Sequence, residues 1–377
     1  MGGAERYVHE TAALLRARGV RSTLLYQVES RVDPAYISPF EGAYPLVDLA
    51  TQLAELRPDV VYAHRLAEGP LIDALASSSV PVLRFFHDHK LFCLREHKYT
   101  AVGHHTCRDP AGLRCYPCLG FVRRGSGKLP VELVSLGALL RDQRRNQGLS
   151  AFAVGSRYMR GQLVEHGFSP DRVRVLPLYV TPPSSVPAAR RERDLVLFVG
   201  QLVRGKGVDL LLRAAAAARS RPRLLLVGDG RQADEIRALT GELGLGSRVE
   251  MIGAVAPSAL PELYARARCL AMPSRSPETF GLSGLEAMAH GLPVVAADVG
   301  GIGEWLREGE GGVFFPSGDV GALARAIDRM IEEPDLAEEI GRRGVEAHRR
   351  RFLPEHHLAA LLPALEQLAQ LSREGAR

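Results

Sequence analysis

The second half of the chain alternates short, nearly continuous apolar runs with longer segments in which apolar residues recur at helical spacing. The runs predict strands at 195–200, 223–228, 248–253, 269–272, 293–297 and 313–315, and the periodic segments predict helices at 208–219, 232–243, 257–267, 282–290 and 320–331. Strands that are apolar on both faces are typical of parallel sheets covered by helices on both sides. Their alternation with helices across short Gly- and Pro-marked turns predicts a doubly wound α/β domain.

The first half repeats this alternation less regularly. Strands are predicted at 22–27, 59–64, 80–86, 151–155 and 173–176, and helices at 5–18, 46–56, 68–77, 131–146 and 158–166. The segment 181–187 is rich in proline and serine and lacks periodicity, which indicates a linker. We therefore expect two domains, 1–183 and 190–350, with a ligand cleft between the carboxyl ends of their sheets.

The chain begins inside what would be the first glycine-rich loop of the first sheet, at Gly2 and Gly3. A parallel sheet of this kind normally has a strand before that loop, and the loss of a central strand would leave an unpaired sheet edge. We therefore expect that the natural start lies upstream, and that the first domain lacks its opening strand in this sequence.

Composition and charge narrow the functional classes. Hydrophobic residues make up 46% of the 377 residues, which is ample for sizeable cores. The net charge of +5 suits an anionic substrate or an anionic membrane surface and is too small to predict nucleic-acid binding. Neither a bilayer-spanning apolar run nor a secretory signal is visible, so the expected location is the cytoplasm.

Two carboxylates separated by seven residues form the strongest chemical signal. Glu278 follows a predicted strand, and Glu286 lies inside the next predicted helix, where it is the only acid between Thr279 and Pro293. A solvated helix face would carry more charge than that. Gly281 and Gly284 leave the backbone amides at the start of this helix open to an anion. The alternative is that Glu286 merely faces solvent.

A glycine turn with two cations forms the second signal. Arg204, Gly205, Lys206 and Gly207 lie between a predicted strand and a predicted helix. Glycines allow the backbone to approach a phosphate, and the two side chains offer positive charge to a pyrophosphate. By itself the turn is a weak motif that also fits a solvated basic loop.

Together these motifs resemble the family-4 retaining glycosyltransferases, which consist of two facing Rossmann-like domains (the GT-B fold). The second half is similar through the turn with Lys206, the Pro-Ser-x-x-x-Glu-x-Phe-Gly run at 273–281, the pair of glutamates and the Gly-Leu-Pro-Val-Val segment at 291–295. The first half is similar through Gly-Gly-Ala-Glu-Arg at 2–6 and Gly-Ser-Arg-Tyr-Met at 155–159. The resemblance covers nearly the whole chain and says little about the substrate.

The resemblance implies a set of contacts for the donor, a nucleotide-diphosphate sugar. Glu278 would approach the hydroxyls of the donor sugar, and Glu286 would hold the ribose hydroxyls. Lys206 would balance the leaving diphosphate. The amides near Phe280, Gly281 and Leu282 would assist it, while Gly2 and Gly3 would close over the diphosphate from the other domain.

It also implies a role for the first domain and a mechanism. His87 follows a predicted strand and would lie beside the reacting sugar. The acceptor would attack from the front face while the departing phosphate takes its proton, without any cofactor for catalysis. The family usually has arginine where this chain has Gln201, and Arg204 is the expected replacement. The last helix, about 354–372, would pack back on the first domain through Leu358, Leu361 and Leu365. The implied acceptor is a glycan, a glycolipid or another glycoconjugate.

Four cysteines lie close together in an insertion at about 87–125. Cys93, Cys107, Cys115 and Cys118 fall within 26 residues, the last two in a C-x-x-C turn, and this grouping suggests a structural zinc site. Free thiols are the alternative, and three nearby histidines (His97, His104 and His105) blur which side chains would bind.

The segment 121–147 combines basic residues with apolar ones. It fits either a helix that packs on the core with a solvated basic end, or a surface that meets an anionic leaflet and a lipid-linked acceptor.

Three other functions compete with glycosyl transfer. A nucleotide-sugar epimerase or a phosphorylase would share the overall shape. A nucleotide-sugar-binding scaffold without activity would fit the change at Gln201. An NAD-linked dehydrogenase is disfavoured because no strand-linked G-x-G-x-x-G with a downstream acid occurs at the expected place.

Overall fold

The computed structural model of the protein describes residues 3–27, 33–66, 69–100, 105–124, 131–182 and 191–375. The helices are α1 (Gly3–Ala17), α2 (Pro34–Ile37), α3 (Leu49–Leu56), α4 (Gly69–Ser77), α5 (Leu136–Gln147), α6 (Arg157–Glu165), α7 (Val208–Ala217), α8 (Ala233–Glu242), α9 (Leu260–Arg266), α10 (Leu282–Ala289), α11 (Val320–Glu332), α12 (Pro334–Arg351) and α13 (Pro354–Gly375). The strands are β1 (Thr23–Tyr26), β2 (Gly42–Pro45), β3 (Val61–His64), β4 (Val82–Phe86), β5 (Val122–Arg124), β6 (Val131–Leu133), β7 (Ala151–Val154), β8 (Val173–Val175), β9 (Leu195–Val199), β10 (Arg223–Val227), β11 (Val249–Gly253), β12 (Cys269–Met272), β13 (Val294–Ala297), β14 (Arg307–Glu308) and β15 (Gly311–Phe315).

The second domain is built on one parallel sheet with the strand order β11-β10-β9-β12-β13-β15-β14. Strands β12 and β13 are buried along their whole length and β9 along nearly all of it, as their continuous apolar runs predict. The chain winds outward from β9 to β11 and then returns to place β12 on the other side of β9. This reversal is the topological switch point, where ligands bind at the carboxyl ends of the strands. The predicted doubly wound domain is confirmed.

The first domain contains a smaller parallel sheet, β3-β4-β7-β8. Strands β1 and β2 pair in parallel as a separate two-stranded sheet. Strands β5 and β6 form an antiparallel hairpin outside both sheets. Helix α1 is the first element that the structure describes, and Gly2 lies outside the described residues. The prediction of two α/β domains with parallel sheets is confirmed.

The predicted helix at 131–146 is wrong at its start. Val131–Leu133 forms strand β6, and the helix begins only at Leu136, where the Ser135 Oγ accepts a hydrogen bond from the Ala138 amide at 3.2 Å. Serine at this position satisfies an amide that has no partner within the helix, and it therefore fixes where the helix starts. The alternation of apolar Val131 and Leu133 around Glu132 has the period of a strand.

Helix α12 has no counterpart among the predicted helices. Its sequence is rich in charged residues, and the side that it buries carries mostly small residues, such as Ala337, Gly344 and Ala347. Such a stripe gives a weak apolar signal.

Helix α13 brings the end of the chain back to the first domain. It contacts α1 and β4. The His357 Nε2 lies 2.8 Å from the Tyr7 hydroxyl, and Arg373 donates to Asp59 at 2.9 Å. Leu358, Leu361 and Leu365 are buried. Across the described ranges, no helix combines the length and apolarity needed to cross a bilayer.

Candidate active site

Lys206 and Glu278 meet at the switch point of the second sheet. Lys206 follows β9 and Glu278 follows β12, the two strands between which the winding direction reverses. The Lys206 Nζ lies 2.7 Å from Glu278 Oε1 and 2.9 Å from Oε2. The Ser274 hydroxyl donates to Oε1 at 2.5 Å. The fold therefore joins two of the predicted residues, 72 positions apart, into one ion pair.

Glycine at position 207 allows the loop after β9 to approach the loop after β12. Gly207 has φ +69°, and a Cβ there would lie 1.9 Å from the Pro273 carbonyl oxygen. The amides of Arg275 and Ser276 both donate to the Gly205 carbonyl, at 2.8 and 3.0 Å. A side chain at 207 would therefore push the loops apart and separate the lysine from its acid.

The charge of Glu278 is maintained in a nearly water-free setting, since its side chain is only 11% exposed. Burial by itself would raise the pKa of Glu278, but the Lys206 ammonium and the hydrogen bonds from Lys206 and Ser274 hold it below its ordinary value. At neutral pH the site therefore contains a carboxylate beside a cation.

Glu286 lies within α10 and is held from two directions. Its Oε1 accepts from Arg6 Nη1 at 2.6 Å, and its Oε2 accepts from the Tyr264 hydroxyl at 2.9 Å. Arg6 belongs to α1 of the first domain, so this ion pair crosses between the domains. Burial and the nearby Glu286 carboxylate raise the pKa of Tyr264 well above its ordinary value, which keeps its hydroxyl a donor.

The start of helix α10 lies between the two glutamates. Gly281 is its N-terminal cap with φ +90°, and Leu282 is its first residue. Phe280 is buried, and its carbonyl accepts from the Trp305 indole at 2.7 Å. A Cβ on Gly3 would lie 3.9 Å from Leu282 Cδ1, so the start of α1 faces the start of α10 across the domain boundary. The amides of α10 are thus available to an anion between the domains.

His87 comes from the end of β4 and contacts other aromatic side chains of the first domain. Its Nε2 lies 2.9 Å from His64 Nδ1, and its ring lies 5.4 Å from that of Tyr7. Burial, assisted by the Arg65 charge, lowers the pKa of His87 to about 4. The imidazole is therefore neutral at pH 7 and can exchange hydrogen bonds. Helix α1 links the two sites, because it carries Arg6 to Glu286 and Tyr7 to His87.

Two further hydrogen bonds join the carboxyl ends of the two sheets. The Ser156 hydroxyl, which caps α6, donates to the Thr279 carbonyl at 2.7 Å. In the cysteine-rich insertion, the Thr106 hydroxyl donates to the Arg275 carbonyl at 2.9 Å. Both acceptors lie within three residues of Glu278. The loop that carries this acid is thus held from the first domain.

The other predicted residues lie apart from these contacts. Arg204 is exposed beside the Lys206 turn, as is Gln201. Gly2 and His104 lie outside the described residues. The four cysteines of the insertion are unbonded to one another and partly buried. Within the described ranges, no three His, Cys, Asp or Glu side chains are arranged to hold a metal ion.

Several residues of the site were missed by reasoning from the sequence. Tyr264 and His64 carry no signal beyond their types, since each acts through a partner that only the fold brings near. Arg6 and Ser274 did have a signal, because both belong to segments already singled out, Gly-Gly-Ala-Glu-Arg at 2–6 and Pro-Ser-x-x-x-Glu-x-Phe-Gly at 273–281.

Two α/β domains with parallel sheets, joined at the carboxyl ends of their strands, place this chain in the GT-B fold class. Solved structures share this fold. The Anabaena HepE structure in complex with UDP has a TM-score of 0.67 at 20% identity and covers 100% of this chain and 96% of that one. The sucrose-phosphate synthase of Thermosynechococcus elongatus has a TM-score of 0.73 at 23% identity, covering 99% and 93%.

Two glycosyltransferase family models together match nearly the whole chain: glycosyl transferases group 1 over 184–347 and glycosyltransferase family 4 over 1–182. A D-inositol 3-phosphate glycosyltransferase of Acidothermus cellulolyticus is 39% identical over 214 residues, which are 51% of this chain and 47% of that protein. The chain thus spans about half the length of this relative. One from Mycobacterium avium is 27% identical over 390 aligned residues, covering 96% and 88%.

Proposed function

We propose that this protein is a retaining glycosyltransferase that moves a sugar from a nucleoside-diphosphate sugar to an acceptor hydroxyl. The observation that carries the proposal is the Lys206–Glu278 ion pair at the switch point of the second sheet, beside the open amides at the start of α10. Departure of the leaving group builds negative charge on the β-phosphate. A fixed cation and helix-terminal amides are the groups that stabilise such charge.

The remaining residues have complementary roles. Glu286 accepts hydrogen bonds from the ribose hydroxyls, with Tyr264 fixing the orientation of its carboxylate. Glu278 accepts from hydroxyls of the donor sugar. His87, neutral at pH 7, faces the same sugar from the first domain. The acceptor attacks from the face that the diphosphate leaves, the departing phosphate oxygen takes the acceptor proton, and the anomeric configuration is kept.

The comparisons support a nucleotide-sugar donor. The Anabaena HepE structures contain UDP and UDP-glucose, and the fold of this chain is similar to theirs over its whole length. The Streptomyces kanamyceticus relative, named an α-D-kanosaminyltransferase, is 29% identical over 48% of this chain. These relatives differ in the sugar or acceptor that their names indicate, so they identify neither for this chain.

A donor panel tests the proposal. We expect one nucleoside diphosphate and one of its sugars to raise the melting temperature, since a ligand that binds only the folded state stabilises it. The matching donor should also release nucleoside diphosphate slowly in the absence of acceptor. NMR of the transfer product should find the anomeric configuration of the donor. Binding without turnover would support the scaffold alternative, and an inverted product would rule out retention.

We further propose that the acceptor is lipid-linked and that the cysteine-rich insertion meets an anionic membrane surface. The insertion and the neighbouring strand β6 expose large apolar side chains: in the insertion Leu113 is 79% exposed, Tyr116 50% and Leu119 46%, and on β6 Leu133 is 76% exposed. The adjacent Arg114 side chain is 80% exposed. Exposed apolar side chains beside an exposed basic residue are typical of a surface that contacts a membrane interface. On this basis the protein works at the inner face of the cell membrane.

Vesicle flotation tests this contact. Full-length protein should float with vesicles containing phosphatidylglycerol at low salt and remain behind at high salt. The double variant Leu113→Ser/Leu133→Ser should lose most of the binding. Leu371→Ser is the matched control, since Leu371 is also exposed but lies on α13. Equal flotation of the double variant, or none by the wild type, would contradict the contact.

A further inference from the structure

Four of the five cysteines border the same small cavity in the first domain. Cys93, Cys107, Cys115 and Cys118 line a space of about 20 Å³ within the insertion. This is room for about one water-sized sphere. The fifth cysteine, Cys269, is fully buried in β12 of the second domain. The cavity therefore collects every cysteine of the insertion and is small enough for a single ion.

In the described part of the chain, two cations beside this cavity, the buried Lys98 and the half-buried Arg95, form no ion pair with a carboxylate. Lys98 is 1% exposed, and its Nζ donates to the main-chain carbonyl of Asp109 at 2.5 Å instead of to a carboxylate. The Asp109 carboxylate is engaged by the exposed Arg114. Among the described residues, the buried Nε of Arg95 has no hydrogen-bond acceptor. Buried charges are normally paired. Neutral thiols supply no negative charge, whereas thiolates would.

We propose that Cys93, Cys107, Cys115 and Cys118 bind one zinc ion. Each thiol releases its proton to solvent on binding, so that four thiolates and one Zn²⁺ carry two net negative charges. Lys98 and Arg95, which line the same cavity, compensate them. The proposal explains why the buried Lys98 donates to a main-chain carbonyl and not to a carboxylate.

Metal binding draws the four thiols inward. As the described side chains stand, no three potential ligands are arranged to hold a metal ion. Zn–S bonds of about 2.3 Å therefore require the thiols to turn toward the centre of the cavity. The Cys107 thiol would give up a long contact, 3.8 Å to the Asp109 carbonyl. A short turn at Leu113–Cys115 and the hydrogen bond from the Gly120 amide to the Cys115 carbonyl, 2.9 Å, keep the C-x-x-C pair compact.

The ion would brace the insertion against the second domain. Thr106, which contacts the Arg275 carbonyl, directly precedes Cys107. The Cys107 amide donates to the Lys98 carbonyl at 2.7 Å. A zinc ion bound to Cys107 would therefore stabilise the loop whose Thr106 contacts the segment that carries Glu278. Metal binding itself does not depend on the transferase activity proposed above.

Metal analysis of the full-length protein tests the inference. Protein produced with zinc in the medium and purified without chelator should contain about one zinc per chain. Replacement of zinc by Co²⁺ should give the intense thiolate-to-cobalt charge-transfer absorption of a tetrahedral four-sulfur site. In the native holoprotein, thiol reagents should react with the insertion cysteines only after the metal is removed.

Two variants make the test specific. Cys107→Ser should lose most of the zinc, while Cys269→Ala, outside the cavity, should keep it. If Cys107→Ser does not fold, Co²⁺ titration of the metal-free wild type replaces it, with the charge-transfer band saturating at about one equivalent. Less than about a tenth of an equivalent of zinc, together with freely reactive thiols and no charge-transfer band, would overturn the proposal.

Discussion

The second domain carries its candidate chemistry on two loops of one sheet, whereas the first domain assembles its contribution from widely separated parts of the chain. Lys206 and Glu278 stand at the ends of neighbouring strands and contact each other directly. His87 is instead surrounded by His64 from β3 and Tyr7 from α1, and Tyr7 is in turn bonded to His357 from the last helix.

This difference suggests that the two domains contribute differently to donor binding and to stability. A complete parallel sheet fixes the positions of its loops, so donor contacts can be made by short motifs. In the first domain β1 and β2 form a separate sheet, and buried polar contacts among aromatic residues stabilise the region around His87. Substitutions in the second domain should therefore change donor chemistry, and substitutions in the first should change stability and its dependence on pH.

The largest effect is expected from Lys206→Ala. Removal of one preorganised charge-stabilising group typically slows catalysis on the order of a hundredfold or more, and we expect a loss of that size in kcat. Steady-state release of nucleoside diphosphate measures it. Arg213→Ala is the matched control, since Arg213 is exposed on α7, the helix that follows the Lys206 turn.

Folding must be checked alongside that measurement. Lys206 neutralises the buried Glu278 carboxylate, so its loss also lowers stability. The double variant Lys206→Met/Glu278→Gln separates the effects, because it removes both charges. It should melt near the wild-type temperature and remain inactive. A Lys206→Ala enzyme within a few-fold of wild type would contradict the charge-stabilisation scheme.

A smaller effect is expected from Glu286→Gln. The amide cannot accept at both atoms as the carboxylate does, so contacts to the ribose hydroxyls weaken. Hydrogen bonds to charged groups are worth about 1.5–3 kcal/mol, which corresponds to a rise of about tenfold or more in the donor KM. Glu338→Gln, on the exposed side of α12, is the control. A change confined to kcat would instead place Glu286 in the chemical step.

These two predictions rest on residues that the sequence identified, and the reason is physical. Strands buried on both faces are apolar throughout, so β9, β12 and β13 could be predicted from their continuous apolar runs. The loops after β9 and β12, which carry Lys206 and Glu278, could then be located as well. The wrong helix start at 131 and the unrecognised α12 arose where periodicity was short or the apolar stripe was made of small residues.

Side-chain contacts between residues far apart in the chain could not be predicted from the sequence. Arg6 and Glu286 are 280 positions apart, and Tyr7 and His357 are 350 apart. No local pattern specifies such pairs, since each partner is an ordinary residue type whose role depends on the packing of α1 and α13. The functional role of Glu286 was predicted because it is the only acid between Thr279 and Pro293. That argument gave no reason to pair it with Arg6.

A third prediction concerns acid. Burial lowers the pKa of His357 to about 4, even though its hydrogen bond to the Pro177 carbonyl acts in the other direction. The unfolded chain, with an ordinary pKa near 6.5, binds the proton first as the pH falls. The contribution of neutral His357 to the free energy of unfolding is therefore fully present above about pH 6.5 and is lost progressively as the pH falls toward 4. Between pH 7.5 and pH 5.5 this contribution of His357 should fall by about 1 kcal/mol.

Hydrogen exchange at the two pH values measures that loss region by region. Peptides from α1 and α13 should lose protection at pH 5.5, after correction for intrinsic exchange. His357→Gln can still contact Tyr7 and the Pro177 carbonyl but cannot titrate in this range, so it should reduce the loss. Peptides from β9 to β13 should respond equally in both proteins. An unchanged acid response in α1 and α13 would show that other groups govern it.

The smallest effect is expected where the two domains meet, at Arg6. Its ion pair with Glu286 is partly exposed, at 36% for the arginine side chain and 14% for the glutamate. Partly exposed pairs contribute at most about 1 kcal/mol, so Arg6→Ala should lower the free energy of unfolding by less than that.

The same variant tests whether Arg6 takes part in donor binding. Arg6 Nη1 occupies Glu286 Oε1, one of the two oxygens proposed to accept from ribose. The donor must therefore share or displace Arg6, and its loss should leave the donor Kd within a few-fold of wild type. Calorimetric titration with nucleoside diphosphate measures this, with Arg16→Ala on the same helix as the control. A tenfold weaker Kd would mean that Arg6 itself contacts the donor, and the first domain would then share in donor recognition through α1.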